Sequence, residues 1–240
     1  MMATLEETKN CNQRCNYVSS QAVSESWKLL VEKDTIDEAL HNLSTQIIKE
    51  YAPNEVILVG VLTGAAYFTI DLSRRLSFNH QVNLLRVSSY HNSQTSSDKV
   101  EITGLSHKEL NNLSNKHILV LDELYDSGRT LHEVVSYLKC FNPMSIKTCV
   151  MFRKAKKLDD DADKDKFDLP DYCGIDNLPD VWYVGYGLDD CGTKRQLTNL
   201  YAVPKLSGIP LTPDDSLFND EEVYLQAIKQ AQIIPAANSD

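Results

Sequence analysis

Apolar residues gather in four short runs along the chain: Val56 to Leu62, Val82 to Val87, Ile118 to Leu121 and Ile146 to Phe152. Runs of this length without helical periodicity predict strands buried on both faces of a parallel sheet. Segments of helical spacing alternate with them. Ile36, Leu40, Leu43 and Ile47 predict a helix over residues 34–51, with Asp34 or Thr35 placed to cap it and Pro53 and Asn54 to end it. Phe68, Leu72 and Leu76 form a second helical face, and Leu131, Val134, Val135 and Leu138 a third that stops at Asn142-Pro143. Asn199 to Val203 reads as a last short strand. The alternation predicts an α/β architecture, a central parallel sheet of about five strands flanked by helices.

The remaining segments are polar. Residues 1–20 carry no periodic pattern and predict a flexible N-terminal tail. Residues 91–104 predict a long hydrophilic loop, of the length used for lids. Residues 156–168 are dense in charge and predict an exposed excursion. Residues 205–240, with Pro210, Pro213 and a helix-like piece from Glu221 to Gln232, form a C-terminal extension with no functional reading.

Composition narrows the function classes. A net charge of −10 argues against a nucleic-acid surface, which needs a basic patch, and favours small metabolites as partners. Of the six cysteines, Cys11 and Cys15 lack a second pair or a histidine at zinc spacing, and Cys149 sits in an apolar strand. Reduced thiols, the lack of a run of about 20 apolar residues and a polar N-terminus predict a cytoplasmic protein that does not enter membranes.

The chemistry concentrates in residues 117–131. The buried run Ile118 to Leu121 is followed by Asp122 and Glu123, and then Ser127-Gly128-Arg129-Thr130 turns into a helix. Backbone N–H groups at a helix start hold phosphate, aided by the macrodipole, and ligands of open α/β sheets sit at the carboxyl ends of strands. Taken singly, the acids end a strand and Asp126 to Gly128 make an ordinary turn. Together they suit a phosphorylated, polyhydroxylated ligand. Neither GxSxG nor GxxxxGK[ST] is present.

The stretch Leu-Val-Leu-Asp-Glu-Leu-Tyr-Asp-Ser-Gly-Arg-Thr, residues 119–130, resembles the phosphoribosyl-pyrophosphate (PRPP) motif of type I phosphoribosyltransferases, and Asp126 resembles their hypoxanthine-guanine branch. A second segment, Trp182-Tyr183-Val184-Gly185-Tyr186-Gly187-Leu188-Asp189, resembles the base-pocket segment of the same family. The likeness spans roughly residues 30–205. It implies the family fold: a phosphoribosyltransferase domain over residues 21–204 whose sheet carries a small hood made from both chain ends.

The resemblance also implies roles. Asp122 and Glu123 hold the ribose hydroxyls, and Ser127, Gly128, Arg129 and Thr130 the 5-phosphate. Asp126 is the general base at purine N7. Thr63 and Gly64 match the family's Leu-Lys-Gly pyrophosphate loop, with threonine in place of lysine, and the acid pair is Asp-Glu where the family has Glu-Asp or Asp-Asp. Ser89 and Tyr90 match the start of the mobile catalytic loop. Lys154 matches the lysine that binds the exocyclic oxygen of a 6-oxopurine. Trp182 stacks on the base, Tyr183 offers backbone groups to its edge, and Arg195 contacts pyrophosphate. Asp189, with Asp122 and Glu123, binds magnesium (Mg2+). The implied reaction is transfer of the phosphoribosyl group from PRPP to hypoxanthine or guanine, giving a nucleoside monophosphate and pyrophosphate. A PRPP- or purine-sensing regulator on the same scaffold and a transferase shifted toward xanthine are the alternatives. Family members are usually homodimers or homotetramers.

Overall fold

The computed structural model describes residues 23, 26–90, 99–155, 167–203 and 221–235. The predicted N-terminal tail and parts of the predicted loop, charged excursion and C-terminal extension lie outside the described residues.

The main sheet has seven strands. Its middle is a parallel set of five: β7 (Tyr172–Leu178), β6 (Ser145–Lys154), β5 (His117–Tyr125), β2 (Val56–Leu62) and β3 (His80–Tyr90), in that spatial order. Four of these five are the strands expected from the apolar runs; β7 carries no such run. An antiparallel strand closes each edge: β4 (Lys99–Thr103) beside β3, and β10 (Gln232–Ile233) beside β7.

Alternation along the buried strands divides the interior into two cores. Val56 and Leu58 of β2 face α1 (Lys33–Tyr51) and α2 (Ala66–Ser73), packing with Ile36, Leu40, Leu43, Ile47, Phe68 and Leu72. Ile57, Val59 and Val61 face the other way, onto Leu131, Val134 and Leu138 of α4 (Arg129–Lys139). Helices on both faces explain why these strands read as continuous apolar runs. A short helix, α3 (His107–Asn111), opens with a capping box formed by Ser106 and Glu109.

A second, three-stranded antiparallel sheet forms the hood, in the order β1 (Lys28–Val31), β9 (Leu200–Val203), β8 (Trp182–Val184). Its strands come from the start of the described chain and from residues 182–203. The C-terminal elements go elsewhere. Helix α5 (Glu221–Gln230) and β10 fold back on β7, where Gln232 and Ile233 pair with Asp176 and Ile175. Tyr224 then ties α5 to the hood by donating from its hydroxyl to the Leu29 carbonyl at 2.5 Å.

Three expectations change. The cap of α1 is neither Asp34 nor Thr35: the N-cap residue is Glu32, its side chain makes no capping bond, and the Lys33 N–H donates to Asn199 Oδ1 of the hood at 2.8 Å. The predicted loop over 91–104 ends in β4, because residues 99–103 pair with residues 86–90. The helix predicted to reach Gln232 stops at Gln230, and Gln232 belongs to a strand.

Candidate functional site

The carboxyl ends of β7, β6, β5, β2 and β3 lie side by side, so the segments that leave them form one rim. β2 runs on through α2 to β3 on one side, and β5 through α4 to β6 on the other. The rim therefore opens between β5 and β2, the crevice where open α/β sheets hold ligands.

β5 does not stop at the apolar run. It continues to Tyr125, with Asp122, Leu124 and Tyr125 paired to Val150, Phe152 and Arg153 of β6, so the acid pair belongs to the strand itself. The two acids stay near enough for each to act on the other. Asp122 is only 7% exposed, and burial, reinforced by the charge of Glu123, pushes its carboxyl well above the usual carboxylate range. Its Oδ1 accepts the Glu123 N–H at 3.0 Å. Glu123 lies over the turn that follows β2. A Cβ on Gly64 would fall 1.7 Å from Glu123 Oε1, so only glycine admits the carboxylate there. Thr63 stands exposed beside it. A Cβ on Gly187, whose φ is +100°, would fall 2.1 Å from the Gly64 carbonyl oxygen. Glu123, Gly64 and Gly187 thus stack in close contact, joining the acid pair, the turn after β2 and the loop after β8.

Asp126, Ser127, Arg129 and Thr130 are exposed around the buried Gly128. Gly128 is the N-cap of α4 with φ +81°, and a Cβ there would lie 2.4 Å from Tyr125 Oη. Burial pushes the Tyr125 phenol up, keeping it protonated to donate to the Asp168 carbonyl at 3.2 Å beneath the loop. The N-cap Gly128 has no side chain to cap α4, Ser127 Oγ accepts, among the described residues, only the Arg129 N–H at 3.5 Å, and no acid occupies the first turn, so the positive helix end is suited to an anion.

At the end of β6, Lys154 is held among three groups. Its Nζ lies 2.9 Å from Asp180 Oδ1, 3.3 Å from Asp126 Oδ2 and 5.4 Å from the centre of the Tyr183 ring. Tyr183 is buried and donates from its hydroxyl to the Pro179 carbonyl, whereas Trp182 is 48% exposed. In the loop after β8, Asp189 Oδ1 pairs with Arg195 at 2.6 Å and Asp189 Oδ2 accepts the Gly192 N–H at 2.6 Å. Arg195 also donates to the Gly187 carbonyl at 2.6 Å. Tyr186, with φ +45°, anchors this loop by donating to Asp71 Oδ2 of α2 at 3.1 Å. Ser89 and Tyr90 end β3, paired through their backbones with Val100 and Lys99.

The expected residues thus fall into neighbouring groups on one rim. One expectation is not met as a ready-made cluster: among the described residues no three carboxylate, histidine or cysteine side chains converge on a metal position. The oxygen-only donor set of Asp122, Glu123 and Asp189 still suits a hard ion that uses one or two carboxylates and completes its shell with water and substrate phosphate. Sequence reasoning missed Asp180, Tyr125, Asp71 and Gly187. The Pro179-Asp180 pair reads as plain turn chemistry, and only spatial neighbours give it more.

Comparison with known proteins supplies the family. The phosphoribosyl transferase domain model matches residues 26–189. A hypoxanthine-guanine phosphoribosyltransferase of Aquifex aeolicus is 33% identical over 180 residues, covering 73% of this chain and 94% of the relative. A hypoxanthine phosphoribosyltransferase of Buchnera aphidicola is 30% identical over 173 residues, covering 71% and 92%. A crystal structure of a hypoxanthine phosphoribosyltransferase from Staphylococcus aureus superposes with a TM-score of 0.62 at 27% identity, covering 73% of this chain and 90% of that one.

Proposed function

The chain belongs to the phosphoribosyl transferase family, and from that premise we propose that it is a purine salvage enzyme moving the 5-phosphoribosyl group of PRPP onto a 6-oxopurine. Hypoxanthine and guanine are the acceptors, as the names of the relatives indicate, and pyrophosphate leaves. The observation that carries this reading is the juxtaposition of Lys154 and Asp126, 3.3 Å apart, beside an open helix start. A 6-oxopurine presents on one edge an exocyclic oxygen that accepts and an N7–H that donates. An ammonium next to a carboxylate matches that edge.

In the proposed reaction the purine N9 forms a bond to C1 of the ribose as the bond from C1 to pyrophosphate breaks, and Asp126 takes the N7 proton. Lys154 binds the exocyclic oxygen and Trp182 stacks on the ring. The N–H groups of the first turn of α4, with Ser127 and Thr130, hold the 5-phosphate. Asp122 and Glu123 accept from the ribose hydroxyls. The Thr63–Gly64 turn offers backbone N–H groups to pyrophosphate, and Arg195 orients Asp189. Asp189 and the acid pair would hold magnesium, which would supply neutralisation of the pyrophosphate charge. Ser89 and Tyr90 take the catalytic-loop role that the family likeness implies, guarding the ribosyl cation from capture by water.

On this reading residues 21–204 are the transferase unit, with hood, and residues 205–240 an extension. The protein works in the cytoplasm as a homodimer or homotetramer. No helix among the described residues is long and apolar enough to cross a membrane.

Initial rates with PRPP, magnesium and, separately, hypoxanthine, guanine, xanthine, adenine and uracil test the proposal. Turnover is expected with hypoxanthine or guanine and not with adenine or uracil. Turnover of adenine or uracil in their place would refute it.

A further inference from the structure

We propose that Asp180 is a positioning residue that fixes Lys154 for the exocyclic oxygen of the base, and through it sets the preference for a 6-oxopurine over a 6-aminopurine; the inference rests on the proposed transferase reading.

Lys154 meets two unequal carboxylates. The Asp126 side chain is 64% exposed and its oxygen lies 3.3 Å away, whereas the Asp180 side chain is 17% exposed and lies 2.9 Å away. The Lys154 side chain is 12% exposed. A pair shielded from water at the shorter distance is the stronger and the more rigid of the two. Asp180 is also well held. The Val181 N–H donates to the Pro179 carbonyl at 2.9 Å, and the Ala155 N–H donates to the Leu178 carbonyl at 2.7 Å. The second of these bonds ties the residue after Lys154 to the turn that carries Asp180. The Tyr183 ring under Lys154 is anchored to the same turn through Pro179.

Lys154 has three N–H donors. One serves Asp180, one serves Asp126 in the unliganded molecule, and the base oxygen needs one. When the base docks, Asp126 must turn to N7, so Lys154 releases Asp126 and keeps Asp180. Without the Asp180 charge, Asp126 is, among the described residues, the remaining carboxylate paired with the ammonium. The pair then closes on itself, the acceptor for N7–H is occupied and the donor for the oxygen is misplaced. A 6-amino group offers a donor where Lys154 also donates, so a rigid Lys154 rejects it, as sites built around one hydrogen bond do.

The test compares D180N, K154M and the double variant D180N/K154M under saturating PRPP and magnesium. D180N is expected to raise the KM for hypoxanthine about 10- to 100-fold, the range of one charge-assisted hydrogen bond. The KM for PRPP is expected to stay within about twofold, and discrimination against adenine to fall. In the K154M background, D180N is expected to change the hypoxanthine KM by less than about twofold, because its effect runs through Lys154. An unchanged hypoxanthine KM in D180N, an equal rise in the PRPP KM, or an undiminished effect in the K154M background would overturn the inference while leaving the transferase reading intact. If D180N does not fold, D180E carries the test, since moving the carboxylate by one methylene is expected to raise the hypoxanthine KM and an unchanged value overturns the proposal. A wild-type protein that turns over neither hypoxanthine nor guanine overturns both the inference and the reading beneath it.

Discussion

Asp122→Asn isolates the tension between stability and binding at this site. The carboxyl is 7% exposed and held well above the usual carboxylate range, first by burial and then by Glu123. In the unfolded chain its pKa is about 3.9. A folded-state value raised above the unfolded one means that the native state binds the proton more tightly. The stability from this group is therefore fully present below about pH 4 and is lost as pH rises through the folded value. Each unit of elevation removes about 1.4 kcal/mol. Asparagine keeps the shape and the acceptor for the Glu123 N–H, and it cannot ionise. The variant should therefore be more stable than wild type at pH 8, with the difference shrinking as pH falls. Each difference of about 1.4 kcal/mol corresponds to a Tm rise of roughly 3–6 °C for a chain of this size. At pH 4 the two should melt together. PRPP binding should move the opposite way, weakening about 10- to 100-fold with the loss of a charge-assisted acceptor. Calorimetric melts of both proteins from pH 4 to pH 8 measure the difference directly. A variant that is equally or less stable at pH 8, with no pH dependence in the difference, would show that Asp122 carries no burial penalty.

Other substitutions probe separate parts of the rim. Asp126→Asn should lower kcat about 10²- to 10⁴-fold, the usual worth of a general base, with PRPP affinity by calorimetry largely kept; unchanged kcat would remove Asp126 from the chemistry. Gly128→Ala places a side chain at φ +81° and 2.4 Å from the Tyr125 hydroxyl. The positive φ alone should destabilise by about 1–2 kcal/mol, and the overlap should displace the phosphate loop and raise the KM for PRPP; a fully stable variant with normal PRPP kinetics would contradict this account of the loop. Thr63→Lys adds a charge on an exposed turn, so pyrophosphate should inhibit a few-fold more strongly, with the gain fading in high salt. Salt-independent or unaltered inhibition would place pyrophosphate away from this turn.

What could be read from the sequence was what local chemistry dictates. The apolar run before Asp122 announced a strand buried on both faces, and the spacing of Leu131, Val134 and Leu138 announced the helix that follows, because each pattern reflects its own burial. Long-range partners escaped. β4 is an edge strand whose Lys99 and Glu101 break the apolar signal, as charged edges do. β7 carries Gly174, Asp176 and Asn177, and Asp176 is there to receive Arg153 of β6, with Nε 2.5 Å from Oδ1. The cap of α1 is supplied by Asn199, 166 residues away. At the site, the motifs located Asp122, Asp126 and Lys154, but Asp180 became meaningful only when the fold brought the ends of β6 and β7 together.

The most direct test of the central claim is a single-turnover reaction of the protein in excess over hypoxanthine labelled in its ring, with PRPP and magnesium, resolved by chromatography. The account predicts that the label moves into the nucleoside monophosphate while one pyrophosphate appears for each base consumed. Label remaining in free hypoxanthine, whether PRPP is hydrolysed or left intact, would contradict it.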